Sequence, residues 1–246
     1  MSRGEDRRQA RETESEMKKF YYLFAAVAVI GIGAVAYNVG NGMFGSAVSA
    51  PIELDLGNDE ALVELAQGVE KGDADAPVTI VEFGDFQCPG CGSFALSVKP
   101  QLDGTIVASG QAKFVFYDFP IVSIHPNAFL AARAARCAED QDKYWEYHET
   151  LFRHQARWAT ASMPSSAFED YASDVGLDGG DFSACLSSDK YADVVTANME
   201  LGTRMGVSGT PSIFINFNGQ TRRLSRFDFE SIQQEIANMT GTEGTN

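Results

Sequence analysis

Phe83-Gly84-Asp85-Phe86-Gln87-Cys88-Pro89-Gly90-Cys91 decides how the rest of the chain is read. It grows out of Val78-Thr79-Ile80-Val81-Glu82-Phe83, a continuous β-branched and apolar run of the kind that forms a buried strand. It then opens Cys88–Leu102, where Phe94, Val98 and Leu102 recur at helical spacing and Pro100 predicts a kink. The two cysteines therefore sit where a strand gives way to a helix. A cysteine at a helix start faces unpaired N–H groups and the positive end of the dipole, and both favour thiolate. Cys88 is expected to ionise below the ~8.5 of a free thiol. Pro89 suits the first helical position, where its missing N–H costs nothing. Cys91 lies one turn further in, close enough to close a small disulfide ring. Cys88 reads as the exchanging sulfur and Cys91 as the buried resolving one. Half of a zinc site is the rival reading, but such a site needs four ligands. Cys137 and Cys185 lie 48 positions apart, and His125, His148 and His154 form no ligand pattern with the pair. No metal is expected.

Working outward, Leu62–Val69 reads as a short helix and Gly72–Pro77 as a turn. Lys113–Phe119 is a second strand, dense in Phe and Tyr. The pattern then turns helical, over Asn127–Ala138, Asp142–His154, Ser165–Val175, Asp181–Leu186 and Asp189–Met205. Strands return at Ser212–Phe217 and Gln220–Leu224, joined by Asn218-Gly219, a two-residue hairpin signal. Asp228–Met239 closes the chain as a helix, with Phe229, Ile232, Ile236 and Met239 on one face. The order predicts one α/β domain over residues 58–242, with a helical subdomain inserted at about residues 123–206.

The N-terminal part is different in kind. Residues 1–19 are polar and end in Lys18-Lys19, and Phe20–Val39 is uncharged and apolar. As a helix it would span about 30 Å, the thickness of a bilayer core. The expectation is a cytoplasmic tail (1–19), a transmembrane signal anchor (20–40) and a linker (41–57), with Lys18 and Lys19 inside and the rest of the chain outside. A cleaved signal peptide would have a shorter apolar core and a closer cleavage site. The whole chain of 246 residues carries 19 Lys and Arg against 34 Asp and Glu, a net charge of −15. That acidity excludes nucleic acid as a partner.

Phe83 to Cys91, with Phe94 behind it and Gly209-Thr210-Pro211 far downstream, resembles the DsbA-like thiol-disulfide oxidoreductases of the thioredoxin superfamily. The resemblance runs over about residues 58–240 and includes Ala131–Ala138 and Tyr144–His148. It implies a thioredoxin fold interrupted by a helical subdomain, with the Cys88–Cys91 disulfide as the whole redox equipment and no cofactor. It implies a cis bond at Thr210-Pro211, and a substrate groove in which Thr210, Pro211, Pro89 and Gly90 take part. Glu82 corresponds to a buried acid that moves a proton to or from the inner cysteine; an edge-strand Glu in water is the plainer reading of that residue alone. The partners implied are exported cysteine-containing proteins and a membrane quinone-linked thiol oxidase. Run in reverse, the couple would be a reductase or isomerase fed by an electron donor. A chaperone-like binding module is the non-catalytic alternative. The strongest oxidants of the family carry a His between the cysteines, where this chain has Pro89-Gly90.

Four further residues carry expectations. Cys137 and Cys185 both fall in the helical part. An even cysteine count on the oxidising side of a membrane favours a structural disulfide over two buried free thiols. Asp85 reads as a solvated loop residue; His125, before Pro126 at a helix start, reads as a residue near the active site or, more plainly, as a capping or surface residue. His148, Tyr144, Trp145 and Phe152 read as core.

Overall fold

The strand read at Val78–Phe83 runs through the middle of a mixed sheet in the computed structural model, which describes residues 47–241. In chain order the elements begin with α1 (Asp59–Leu65), β1 (Val69–Lys71) and β2 (Val78–Gly84). A helical run follows, made of α2 (Pro89–Ser93), a π-helical turn (Phe94–Val98), α3 (Lys99–Leu102) and a second π-helical turn (Asp103–Val107), and leads to β3 (Ala112–Asp118). The insert holds α4 (Ala128–Glu139), α5 (Tyr144–Arg153), α6 (Gln155–Trp158), α7 (Ser165–Asp174), α8 (Gly179–Ser187) and α9 (Ala192–Arg204). Then come β4 (Ser212–Phe217), β5 (Gln220–Arg223) and α10 (Phe229–Thr240).

Among the described residues the strands are ordered β1-β3-β2-β4-β5. β2 runs parallel to β3 and antiparallel to β4, and Glu82 lies opposite Phe116 on one side and Ile213 on the other. Being paired on both edges and covered on both faces, β2 needs no polar face, which explains its continuous apolar pattern. Val78 and Ile80 point into the main core with Phe114, Phe116, Ile213, Ile215, Ile232 and Ile236. Phe83, on the other face, packs with Phe214 and Val207.

Three elements differ from the pattern reading. The helix expected over Leu62–Val69 ends at Leu65, and Val69 instead begins β1, a three-residue edge strand on β3. So short a strand leaves no periodicity to read. The helix opened at Cys88 runs on past Leu102 to Val107. Pro100 does not break it, because the preceding π-helical turn shifts the hydrogen bonding: Lys99 N–H reaches back to Phe94 O, one residue further than in an α-helix. Residues 47–57, the last part of the expected linker, lie on the domain. Ile52 N–H bonds Thr196 Oγ1, and Leu54 and Leu56 pack on the Leu62, Ala66 and Ala197 cluster.

Two buried arginines on α4 hold the insert to its surroundings. Arg136 Nε donates to Asp118 Oδ2 of β3 at 2.8 Å, and Nη2 to Gln67 O at 2.6 Å. Arg133 is fully buried, and among the described residues it makes no ion pair, though the Asp189 carboxylate is near enough to favour its charge. Its N–H groups go to the carbonyls of Val48, Leu186, Ser188 and Lys190. A guanidinium is fixed in charge and carries five donors, so a cage of carbonyls suits it.

Cys137 on α4 and Cys185 on α8 are joined in a disulfide, Cα atoms 5.8 Å apart. Among the described residues no helix is long and apolar enough to cross a membrane. The expected anchor and the start of the linker lie outside those residues.

Replacing both Cys137 and Cys185 by Ser frees a loop of sequence separation 48 in the unfolded chain. The expected loss of stability is on the order of 4 kcal/mol at most. Denaturant unfolding should show this midpoint fall, with exchange at Cys88–Cys91 retained in the folded variant. An unchanged midpoint would mean that the bridge adds nothing to the fold.

Candidate active site

β2 stops at Gly84, and the chain turns before the helical run begins: Cys88 N–H bonds back to Asp85 O at 3.0 Å. Cys88 is the N-cap of α2, with extended backbone, and its carbonyl accepts Gly92 N–H at 3.1 Å. Pro89 takes the first helical position. No side chain caps this terminus, so its N–H groups are left to the sulfur. Both cysteines are free thiols here, Cys88 half-buried and Cys91 buried.

The two sulfurs are driven apart. The Cys91 thiol, donating to Cys88, draws the Cys88 pKa down to about 5, against the opposing effect of partial burial. The N–H groups of Cys91 and Gly90 add to the lowering. Cys91 goes the other way. Burial pushes it well above 9, and the proton it gives to Cys88 and the nearby charges of Glu82 and Cys88 push it further. In the reduced pair at neutral pH, one proton stays on the inner sulfur and the outer sulfur is an anion.

The loop before β4 lies against this pair. Thr210-Pro211 is cis, and Thr210 O is 3.4 Å from Cys88 Sγ. A Cβ on Gly90 would come 3.2 Å from Pro211 Cδ and 3.6 Å from Cys88 Sγ. Glycine therefore keeps side-chain atoms out of the space between Cys88 and Pro211.

Behind Cys91, Glu82 is fully buried, and neither carboxylate oxygen has a hydrogen-bond partner. Burial raises its pKa to about 8; Lys99 opposes the shift and Cys88 adds to it. Gly84 makes room for it, since a Cβ there would lie 3.1 Å from Glu82 Oε1 and 2.3 Å from the Phe116 ring. Lys99, 4% exposed, holds Asp103 Oδ2 at 2.7 Å and sits over the Trp145 ring at 4.2 Å. Burial lowers its pKa to about 8. His148 is enclosed by the rings of Phe86, Phe116, Tyr144, Trp145 and Phe152, and burial keeps it neutral. Among the described residues no cluster of His, Cys, Asp or Glu side chains could hold a metal ion.

Asp85 is not the solvated residue its loop position suggests. It is 1% exposed. Its Oδ1 accepts Gln87 N–H at 2.7 Å, and its Oδ2 accepts Ile121 N–H at 2.7 Å and meets His125 Nδ1 at 2.7 Å. Asp85 N–H in turn points to Cys91 Sγ at 3.4 Å. Of the two readings open for His125, the one near the active site is the one found: it is the partner of a buried carboxylate beside the redox turn. Gln155 carries no signal in the sequence that marks it for the site. Its amide donates to Phe86 O at 2.7 Å and Cys88 O at 2.9 Å. The spacing of Asp85 and Gln87 hints at a local side-chain turn, but nothing in the sequence links them to residues tens of positions away.

A thioredoxin family profile matches residues 65–232. The chain belongs to the thioredoxin family. It is 27% identical over 218 residues to a probable disulfide bond formation protein D of Bacillus cereus, covering 87% of this chain and 92% of that one. To disulfide bond formation protein D of Bacillus subtilis it is 31% identical over 173 residues, 67% and 73% of the two chains. The crystal structure of oxidised BdbD from Bacillus subtilis superposes with a TM-score of 0.62 at 27% identity, covering 78% of this chain and 97% of that one. With the paired sulfurs described above, these similarities make the chain a DsbA-like thiol-disulfide oxidoreductase.

Glu82 offers a direct check by pH. Its folded pKa of about 8 lies above the ordinary 4.5 that it regains on unfolding. The stability this gives is fully present below the ordinary value and is lost as pH rises through about 8. Glu82→Gln should remove that decline, so the variant should unfold later than the parent at pH 8 and match it near pH 4. Thiol exchange at pH 7 should slow by at least about tenfold, as when a proton-transfer group is lost. Unchanged exchange across the pH range would remove Glu82 from the chemistry.

Proposed function

We propose that this enzyme is an extracytoplasmic thiol oxidant that passes the Cys88–Cys91 disulfide to cysteines of exported proteins. The observation that carries the reading is the Cys88 sulfur drawn down to about 5. Whatever stabilises the thiolate stabilises the reduced enzyme, and so makes its disulfide the stronger oxidant. A client thiolate attacks Cys88 Sγ, the Cys88–Cys91 bond breaks, and its electron pair leaves on Cys91. Glu82, neutral at pH 7 and close behind, supplies the proton that Cys91 takes. A second client thiolate then attacks the client sulfur of the mixed disulfide and releases Cys88 as thiolate. The client loses two electrons and gains its disulfide, and no cofactor is needed.

In this reading the client chain lies along Thr210 and Pro211 and crosses the open face left by Pro89-Gly90. The Phe20–Val39 segment holds the domain at the membrane, where a quinone-linked thiol oxidase restores the disulfide. The Cys137–Cys185 bridge supports the compartment, because such bonds persist where the surroundings are oxidising. The names of the Bacillus relatives, disulfide bond formation protein D, support the direction.

Equilibration with glutathione tests the direction. The expected potential lies between those of thioredoxin, roughly −270 mV, and DsbA, roughly −120 mV, because no His adds to the thiolate stabilisation at Gly90. In cells, Cys91→Ser should accumulate mixed disulfides with exported proteins through Cys88, and Cys88→Ser should accumulate none. A potential at or below that of thioredoxin would overturn the oxidant reading in favour of a reductase.

A further inference from the structure

We infer that Asp85 and His125 form a positioning pair for the inner sulfur: the His125 ring and Ile121 N–H fasten the Asp85 side chain, and this holds Asp85 N–H against Cys91 Sγ. The inference rests on Cys88 being the attacked sulfur, but not on which way electrons flow.

Three observations carry it. The first is a contact that spans two parts of the fold. One residue, Asp85, touches Cys91 through its backbone at 3.4 Å and a loop of the helical insert through its side chain at 2.7 Å, twice. The second is burial. A carboxylate out of water is costly unless it is paired and hydrogen-bonded, and the Asp85 side chain is fully covered with both oxygens bonded. A turn at this point needs only one short polar acceptor, which Oδ1 supplies to Gln87 N–H. The second oxygen does something the turn does not require: it fixes an imidazole forty residues away in sequence. The third is the surroundings of Cys91. Burial opposes a negative charge on that sulfur, and in the reduced pair the Cys88 thiolate and an ionised Glu82 oppose it further. Lys99 bears on Glu82, and its Nζ is held at Asp103. Asp85 N–H favours charge on Cys91, against those effects.

The chemistry needs such a donor. When a client thiolate attacks Cys88, the breaking Cys88–Cys91 bond leaves its electron pair on Cys91 before any proton arrives. A fixed N–H at that position stabilises the departing sulfur as an oxyanion hole stabilises a developing oxygen charge. Glu82 then delivers the proton. In the reverse direction, Cys91 attacks the mixed disulfide as a thiolate, and the same N–H stabilises it. Glu82 handles the proton and the Asp85–His125 pair places the group that handles the charge.

The experiment is single-turnover reduction of the oxidised, full-length protein by reduced glutathione from pH 6 to 9, beside the thiolate titration of Cys88 in the reduced protein. His125→Leu and Asp85→Asn should each slow reduction by about tenfold, the scale of one hydrogen bond to a charged group. The double variant should be no slower than the worse single one, because the two act as a unit. The Cys88 titration should stay where it is. His125→Gln should recover most of the rate, since its amide N–H can meet Asp85 Oδ2. Unchanged rates in folded His125→Leu would overturn the inference. So would an equal disturbance of Cys88, or a failure of Gln to rescue, either of which would reduce the pair to scaffolding. If Asp85→Asn does not fold, the two His125 variants decide. The glutathione potential judges direction separately, so an error there leaves these rates as an independent result.

Discussion

A sulfur anion at the start of a helix, resting on a second sulfur that is kept protonated, is the condition that the rest of this structure serves. Neither half of it is stable alone. Cys88 ionises because Cys91 donates to it and because the uncapped helix start turns the N–H groups of Cys91 and Gly90 toward it. Cys91 keeps its proton because it is buried, beside a carboxyl and below an anion. The separation lies between two sulfurs three residues apart in one turn of chain, and it stores the difference between oxidised and reduced enzyme as electrostatics. The sheet contributes by delivering both the redox turn and Glu82 from the same strand. That strand can be mostly apolar because β3 and β4 pair with both its edges and most of its side chains are buried.

The helical insert is more than a lid on this arrangement. Residues 84 to 88 form a turn with few backbone bonds of its own, and the insert supplies most of what holds it. Asp85 is tied to Ile121 and His125, Gln87 to Asn127 and Ala159, and the carbonyls of Phe86 and Cys88 to Gln155. The insert is itself pinned by the Arg136–Asp118 pair, by the carbonyl cage around Arg133 and by the Cys137–Cys185 bridge. α4 carries both Cys137 of that bridge and, at its N-cap, Asn127, whose N–H bonds Gln87 of the redox turn.

Much of this could be read in the sequence, for physical reasons that differ from element to element. β2, the helix that opens at Cys88 and the order of strands around a helical insert follow from apolar periodicity, which burial enforces locally. The Asn218-Gly219 turn was legible because both residues take positive φ, a demand few residues meet. Glu82 stood out because an acid in a β-branched run is costly wherever that strand is buried. What could not be read depends on distance. β1 is three residues long and exists because β3 has a free edge. The π-helical turns that carry the helix past Pro100 are set by packing. Asp85, His125 and Gln155 look like ordinary loop and surface residues, and only the fold brings them to the redox turn.

The account stands on the charge of one sulfur. In the reduced protein, the ultraviolet absorbance of thiolate followed against pH, with Cys91→Ala to assign the signal and with mild alkylation to follow Cys88 by itself, measures that charge directly. The parent protein should titrate at Cys88 with a midpoint near about 5, and Cys91→Ala should move the midpoint up, because the inner thiol is the largest stabiliser. A midpoint in the parent near ~8.5, that of an unassisted thiol, would contradict the account.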